Sequence, residues 1–229
     1  MKICGLQKLS LLDFPGRLGC TVFIGGCNFR CPFCHNAPLV VGDYAEQEIS
    51  QGQFFDFLDG RAGIIEGVCV TGGEPLSSDG IFEFLRGIKN RGFAVKIDTN
   101  GSFPSRLGRI IDERLADYAA MDIKNSPEKY RLSVGVNADV EAVKDSAARL
   151  MSGGLPFEFR TTLVKEFNTL ADMQKIGTWL KGPSPYFLQT FRPSENVISQ
   201  NLSPWTEADT LKAAEILKEY MPNAQIRKS

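Results

Sequence analysis

The sequence predicts an α/β protein built as an incomplete, laterally open (β/α)6 TIM-like barrel with parallel strands. Short apolar segments alternate six times with longer segments of helical periodicity, and such alternation implies parallel strands joined by right-handed crossovers. Six units are two fewer than a closed eight-stranded barrel requires, so we expect an open barrel. Polar motifs also follow several strands, at the ends where α/β folds assemble ligand sites. A flat, doubly wound sheet is the alternative.

Each predicted strand is short, rich in β-branched or aromatic residues, and mostly bounded by Gly, Pro or Asn. In chain order the strands are Gly19–Ile24, Gly67–Val70, Ala94–Ile97, Tyr118–Ile123, Phe157–Val164 and Tyr186–Phe191. A helix is predicted after each strand, at Glu46–Leu58, Asp79–Asn90, Ser105–Leu115, Asp139–Met151, Leu170–Lys181 and Thr206–Tyr220. Because no repeat, low-complexity tract or long polar linker interrupts this pattern, we expect one domain over residues 1–229.

The charge balance excludes several classes of partner. Lys and Arg number 26 and Asp and Glu number 27, so a net charge of −1 provides no electrostatic basis for binding nucleic acid or an anionic membrane. No apolar run approaches the length of a membrane span, and the first residues lack the pattern of a signal peptide. We therefore expect a cytoplasmic protein.

Three of the six cysteines, Cys27, Cys31 and Cys34, lie within eight residues. Clustered cysteines in a reducing compartment are more often ligands or catalysts than disulfide partners. Three thiolates on one tight loop can hold a single metal centre and leave one metal coordination position open, whereas four would close it. The remaining cysteines are far apart in apolar segments and are expected to be ordinary buried thiols: Cys4, Cys20 and Cys69.

A structural zinc site is the alternative for this loop, with His35 as the fourth ligand. His35 is the only histidine in the chain, and it directly follows Cys34. Adjacent side chains in a loop point in different directions, which makes them an awkward pair for tetrahedral coordination. The usual zinc pattern also places a second pair of ligands well downstream, and the sequence has none. Zinc is therefore disfavoured.

The C-x3-C-x2-C spacing, with the aromatic Phe33 before the last cysteine, resembles the signature of the radical S-adenosylmethionine superfamily. The resemblance implies that Cys27, Cys31 and Cys34 hold a [4Fe–4S] cluster and that Phe33 lies against the adenine. It also implies that S-adenosylmethionine chelates the fourth iron and is cleaved by one electron to methionine and a 5′-deoxyadenosyl radical, which abstracts hydrogen.

The segment T-G-G-E-P follows the second predicted strand and, taken alone, could be an ordinary turn. Gly72 and Gly73 would let the backbone approach a ligand closely, and Glu74 can accept hydrogen bonds from an ammonium group. The segment resembles the GGE motif of the same superfamily, which binds the methionine amino group. The resemblance therefore assigns Gly72, Gly73 and Glu74 to the cofactor.

The motifs D-T-N-G and D-I-K end the third and fourth predicted strands; alone they could be a turn and a surface ion pair. Both resemble motifs of pyruvate formate-lyase activating enzymes. That resemblance implies that Asp98, Thr99 and Asp122 help hold a monovalent cation beside the methionine carboxylate and that Lys124 contacts this carboxylate. Arg160 is too polar for a buried strand unless it is paired, and it matches a family arginine near S-adenosylmethionine.

Further segments are similar to glycyl-radical activating enzymes, most of all to activators of anaerobic ribonucleoside-triphosphate reductase: Ser10–Gly16, Thr21–Phe23, Cys34–Asn36 and Gln189–Pro193. The implied reaction abstracts hydrogen from the α-carbon of one glycine in a partner enzyme, with flavodoxin or ferredoxin as electron donor. The side gap of an open barrel can admit a protein loop. His35 is then expected to form hydrogen bonds near the cluster rather than to ligate it.

Three alternatives stay open. The chain could activate another glycyl-radical enzyme of the pyruvate formate-lyase type, or it could be a radical enzyme that acts on a small molecule. A more distant alternative is a non-catalytic iron–sulfur module. Such a carrier should have four ligands and no cofactor pocket, whereas this chain combines three clustered cysteines with Gly73, Glu74 and Lys124.

Overall fold

The computed structural model describes residues 1–42 and 48–227. Its strands form one eight-stranded sheet, in which the order of the strands in space follows their order in the chain. The strands are β1 (Ile3–Ser10), β2 (Gly19–Ile24), β3 (Gly67–Gly72), β4 (Ala94–Thr99), β5 (Tyr118–Asp122), β6 (Phe157–Leu163), β7 (Tyr186–Thr190) and β8 (Ala224–Ile226). β1 runs antiparallel to β2, and every other neighbouring pair is parallel.

The sheet is open. β1 and β8 are the two ends of the strand order, and no ladder joins them within the residues that the structure describes. The predicted open, parallel α/β fold is therefore confirmed, and the six predicted strands correspond to β2–β7. Their predicted ends differ from the observed ends by no more than two residues.

Eight α-helices lie among the described residues: α1 (Ala37–Val41), α2 (Gln51–Asp59), α3 (Ile81–Lys89), α4 (Pro104–Asp112), α5 (Tyr130–Val134), α6 (Val140–Met151), α7 (Leu170–Trp179) and α8 (Glu207–Lys218). The helices pack against the sheet through apolar faces; α3, for example, contacts β4 and buries Ile81, Phe84 and Ile88. β2, β3 and β4 are almost entirely buried, as expected for parallel strands that are covered on both faces.

The start of α2 differs from its prediction. The predicted residue Glu46 lies outside the described residues, and the observed helix begins at Gln51. Ser50 sets this start with a capping box: its Oγ accepts a hydrogen bond from the Gln53 amide, and the Gln53 side chain accepts one from the Ser50 amide. The capping box satisfies two amides that the first helical turn leaves without partners.

Four elements were not predicted from the sequence: β1, β8, α1 and α5. β1 does not alternate between buried and exposed residues: Gly5 interrupts it, most of its second half is exposed, and its pairing with β2 has two register shifts. β8 has three residues, and α1 and α5 have five each. Such lengths are too short for a periodic pattern to be recognised.

The cysteines outside the loop are buried, as expected: Cys4, Cys20 and Cys69 expose 7%, 1% and 1% of their surfaces. Among the described residues, no helix combines the length and apolar character that crossing a membrane would need.

Candidate active site

A cavity of about 240 Å³ lies at the carboxyl ends of the central strands. Eleven of the twelve predicted site residues line it: Cys27, Cys31, Phe33, Cys34, Gly72, Gly73, Asp98, Thr99, Asp122, Lys124 and Arg160. The strands explain the convergence, since β3, β4 and β5 end at Gly72, Thr99 and Asp122. Parallel neighbours bring these carboxyl ends to one edge of the sheet.

The cysteine loop follows β2 and is held by backbone hydrogen bonds to distant parts of the chain. The Gly26 amide donates to the Leu39 carbonyl at 2.9 Å, and the Arg30 amide donates to the Val134 carbonyl at 2.8 Å. On its far side, the Pro32 carbonyl accepts from the Ser199 amide at 2.8 Å. The loop is therefore anchored just before Cys27, between Cys27 and Cys31, and between Cys31 and Cys34.

The pKa values of two of the cysteine thiols are strongly raised. Burial raises the pKa of Cys27 to about 11 and that of Cys31 to about 12, although the positive charge of Lys124 opposes the shift. Both thiols are protonated at neutral pH without a metal, so a metal centre has to displace their protons when it binds. Asn100 Nδ2 lies 3.8 Å from Cys27 Sγ, within reach of a hydrogen bond to sulfur.

The three cysteine thiols that line the cavity fit the ligand set of an iron–sulfur cluster. Within the ranges 1–42 and 48–227, no three His, Cys, Asp or Glu side chains are placed to hold one metal ion together. In a cubane cluster each thiolate binds a different iron, so its ligands need not converge on one point. His35 Nε2 instead lies 2.8 Å from the Arg192 carbonyl oxygen, and its ring packs on Phe191. The sequence predicts a hydrogen-bonding role for His35, and its role near the cluster stays a prediction.

The two glycines of the GGE motif bring β3 against the cysteine loop. The Gly73 amide donates to the Ile24 carbonyl, and the Glu74 amide donates to the Gly26 carbonyl, both at 2.8 Å. A Cβ atom at Gly72 or Gly73 would overlap the backbone of Ile24 or Gly26. Gly72 also has a φ of +123°, which side chains disfavour. The motif therefore positions the cysteine loop, apart from any contact with a ligand.

The charged residues at the far side of the cavity form a chain of alternating sign. Arg160 bridges both aspartates, with Nε 2.9 Å from Asp122 Oδ1 and Nη1 3.3 Å from Asp98 Oδ2. Lys124 Nζ lies 2.9 Å from Asp122 Oδ2, and Lys96 Nζ contacts Asp98 Oδ1. Burial alone would raise the pKa of Asp98 and Asp122, but the positive charges of Arg160 and the lysines outweigh it and hold both pKa values below their usual range.

The model of the radical SAM superfamily matches residues 21–179, which is more than half of the chain. The chain belongs to the radical SAM superfamily. Members of this superfamily use a [4Fe–4S] cluster and S-adenosylmethionine, so the identification and the cavity agree on the class of cofactor.

This radical SAM protein is also similar to individual proteins of known sequence or structure. A protein of Methanocaldococcus jannaschii, provisionally named a glycyl-radical enzyme activating enzyme, is 29% identical over 98% of this chain and 95% of its own. Pyruvate formate-lyase-activating enzyme of Listeria monocytogenes is 30% identical over 61% of this chain and 60% of its own. The structure of Streptococcus suis SuiB bound to S-adenosylmethionine is similar in fold alone, with 12% identity, a TM-score of 0.68, and coverage of 91% of this chain and 51% of that one.

Glu74 is the one predicted site residue that does not line the cavity. It is fully buried, and its carboxylate accepts three hydrogen bonds: from the Leu76 amide at 3.0 Å, the Thr99 hydroxyl at 2.9 Å and the Asn100 amide at 2.6 Å. Burial nevertheless raises the pKa of Glu74 to about 7. In this radical SAM protein Glu74 therefore holds the D-T-N-G turn in place, and its direct contact with an amino group stays a prediction.

Two side chains of this site were not predicted from the sequence. Asn100, a residue of the D-T-N-G motif, donates to Asn28 Oδ1 at 3.0 Å and reaches Cys27 Sγ. Lys96 extends the chain of charges, although it lies in the middle of an apolar strand. A lysine in such a strand is the signal that could have revealed it, because an unpaired buried ammonium is costly.

We expect Gly73→Ala to destabilise the protein and to displace the cysteine loop. The added Cβ would overlap the Gly26 carbonyl oxygen and lie 3.3 Å from Cys27 Cβ, which costs about 2 kcal/mol or more of the free energy of unfolding. Gly52→Ala in α2 is the matched control, since its Cβ meets nothing nearer than Ser50 Oγ at 3.8 Å. The control should be neutral or stabilising. Equal stability of the two variants in urea unfolding would contradict the conclusion that Gly73 positions the cysteine loop.

We expect Glu74→Gln to keep the iron–sulfur absorbance and to weaken the binding of S-adenosylmethionine. One of the two carboxylate oxygens becomes an NH₂ group, which cannot accept the bonds from Thr99 or Asn100. Loss of one such buried bond predicts about a tenfold increase in Kd, measured by equilibrium dialysis. Glu83→Gln, on the exposed face of α3, is the control. An unchanged Kd for Glu74→Gln would remove this residue from the cofactor site.

Proposed function

We propose that this chain, acting over residues 1–229 as one radical SAM domain, activates a glycyl-radical enzyme in the cytoplasm. When bound, the reduced [4Fe–4S] cluster and S-adenosylmethionine would supply a 5′-deoxyadenosyl radical, which takes a hydrogen atom from the α-carbon of a glycine and leaves as 5′-deoxyadenosine. The observation that carries the proposal is the arrangement of three cysteines, the glycine motif and the chain of charges around one cavity. Flavodoxin or ferredoxin would supply the electron.

Each group of site residues would have a different role in this reaction. Cys27, Cys31 and Cys34 would hold the cluster as thiolates. The GGE motif supports their loop through the hydrogen bond from the Glu74 amide to the Gly26 carbonyl. Lys124 and Arg160 would attract the carboxylate of the cofactor, because the charged chain carries one more positive than negative group. Phe33, which packs on Phe167 with ring centroids 5.5 Å apart, would offer its ring to the adenine.

A second cavity supports a polypeptide as the substrate. It has a volume of about 570 Å³ and lies between the loop after β1, at Leu12 and Pro15, and the far end of the sheet, at Thr190 and Arg227. It shares four lining residues with the first cavity: His35, Arg160, Thr162 and Gln189. The open side of the sheet thus leads to the proposed cofactor site. Leu12 at its mouth is 89% exposed, which suits contact with another protein.

The proposed partner is the anaerobic ribonucleoside-triphosphate reductase, on the sequence resemblance of Ser10–Gly16 and Gln189–Pro193. A glycyl-radical enzyme of the pyruvate formate-lyase type is the second candidate, and the similarity to the Listeria monocytogenes enzyme supports it.

Electron paramagnetic resonance tests the proposed function. The reduced, iron-loaded protein is mixed anaerobically with S-adenosylmethionine and, in turn, with each candidate partner. The expected result is a glycyl-radical doublet in the reductase and one 5′-deoxyadenosine per radical formed. A doublet only in the formate-lyase-type partner would assign the second candidate. Production of 5′-deoxyadenosine without a doublet in either partner would contradict activation of these enzymes and favour a small-molecule substrate.

A further inference from the structure

Lys96 is a buried cation that the proposed reaction does not use. It lies in β4, only 2% of its surface is exposed, and its Nζ contacts Asp98 Oδ1 and lies 3.6 Å from Cys69 Sγ. Burial would lower its pKa, but the Asp98 charge outweighs this and the pKa of Lys96 is raised. The side chain therefore carries a permanent positive charge next to Asp98, which lines the cofactor cavity.

Every carboxylate oxygen of the two site aspartates already has a cationic partner. Asp98 Oδ1 contacts Lys96, and Asp98 Oδ2 lies 3.3 Å from Arg160. Asp122 Oδ1 lies 2.9 Å from Arg160, and Asp122 Oδ2 lies 2.9 Å from Lys124. These are the oxygens that a metal cation between the aspartates would require as ligands.

The charge balance also opposes an added cation at this place. Lys96, Arg160 and Lys124 carry three positive charges against the two negative charges of Asp98 and Asp122. A monovalent ion between the aspartates would lie beside all three cations, and like charges at such short range repel strongly in a partly buried site. The residues therefore do not fit the monovalent cation that the family resemblance implies.

We propose that the ammonium group of Lys96 takes the place of a monovalent metal ion at this site. Lys96 would act as a positioning residue through Asp98, and the chain of charges would keep a single net positive charge for the cofactor carboxylate at Lys124 and Arg160. A covalently attached cation is always present, so cofactor binding would not depend on potassium or sodium. This inference rests on the proposed function insofar as S-adenosylmethionine is the cofactor.

The first test measures the affinity of the iron-loaded protein for S-adenosylmethionine at constant ionic strength, in potassium, sodium or tetramethylammonium chloride. The wild type should show less than about a twofold change in Kd among these salts. Lys96→Met leaves Asp98 Oδ1 without its partner, so its Kd should rise about tenfold in tetramethylammonium and recover in potassium or sodium. Lys89→Met, which removes a lysine paired with Asp117 outside this site, should show neither effect. A wild-type Kd that falls about tenfold on adding potassium would overturn the inference.

The second test does not depend on cofactor binding. Wild-type crystals are soaked in thallium(I) acetate, and anomalous scattering is measured between Asp98 and Asp122. No thallium is expected there in the wild type, and a bound ion is expected in Lys96→Met. A thallium ion between the aspartates of the wild type would overturn the inference, even if Lys96→Met does not fold. Failure of the wild type to bind S-adenosylmethionine in every salt would contradict the proposed function, and the thallium result would still decide the role of Lys96.

Discussion

Replacement of Cys31 by alanine is expected to abolish both the iron–sulfur absorbance and the cleavage of S-adenosylmethionine. Cys31 lies in the middle of the three-cysteine loop, lines the cavity and exposes 7% of its surface. A cluster that has only three protein ligands cannot lose one and keep the same iron coordination, since no other cysteine lines the cavity with Cys27 and Cys34 in the described part of the chain. Product formation should fall to about 1% of wild type or below, a loss of roughly 3 kcal/mol or more in transition-state stabilisation.

Cys20→Ala is the matched control for this experiment. Cys20 is a buried cysteine of β2, with 1% of its surface exposed, and it does not line the cavity. Both variants delete one buried sulfur, so any general loss of packing should affect them alike. The control should retain absorbance and cleavage. Cleavage retained by Cys31→Ala, or lost to the same degree in Cys20→Ala, would contradict the assignment of the cysteine loop as the cluster ligand.

Replacement of Arg160 by methionine is expected to have the second largest effect, on stability as well as on cofactor binding. The guanidinium group bridges Asp98 and Asp122, and only 13% of the side chain is exposed. Removing it leaves two neighbouring carboxylates with one lysine each. Breaking a buried pair costs about 3–5 kcal/mol, and partial exposure of the aspartates reduces this to roughly 2–4 kcal/mol of the free energy of unfolding. Affinity for S-adenosylmethionine should fall with it.

The acid dependence of stability provides a second measurement on the same variant. The folded-state pKa values of Asp98 and Asp122 are depressed, so their contribution to stability is present above the unfolded pKa of about 4 and is lost as the pH falls below it. Without Arg160 both pKa values should rise, and the variant should lose less stability than the wild type between about pH 4 and pH 2. Urea unfolding across this range measures the difference.

Arg86→Met is the control for Arg160→Met. Arg86 also bridges two carboxylates, those of Glu83 and Glu113, but its side chain is 37% exposed and lies outside the cavity. Such surface pairs contribute about 0–1 kcal/mol, so the control should be close to wild type in stability and in affinity. Similar losses in Arg86→Met and Arg160→Met would show that the buried position of Arg160 has no special role.

Much of this architecture was predictable from local sequence. The strand Gly19–Ile24 was predicted with its observed ends, because glycine precedes an unbroken run of apolar and β-branched residues. Strand β1 was missed because its identity depends on antiparallel pairing with β2, which no local periodicity reveals. Helix α5 was also missed, because this five-residue helix depends on the burial of Tyr130 and Val134 and not on a local pattern.

Part of the candidate site could also be predicted from the sequence, and part could not. The three cysteines and the motifs at the ends of β3, β4 and β5 could be predicted, because parallel strands bring their carboxyl ends together. The direction of the Glu74 side chain could not be predicted, since it depends on hydrogen bonds to Thr99 and Asn100 on the neighbouring strand end. Lys96 was missed because its role depends on one partner two residues away and on the crossing of Arg160 from β6.

The measurement that tests the central claim most directly is the formation of 5′-deoxyadenosine. The protein is reconstituted anaerobically with iron and sulfide, reduced, and mixed with S-adenosylmethionine, and the products are separated by chromatography. The predicted result is 5′-deoxyadenosine in equal amount to methionine, formed only when the cluster is present. A fully loaded, reduced cluster that produces no 5′-deoxyadenosine would contradict the claim that this cavity carries out radical SAM chemistry.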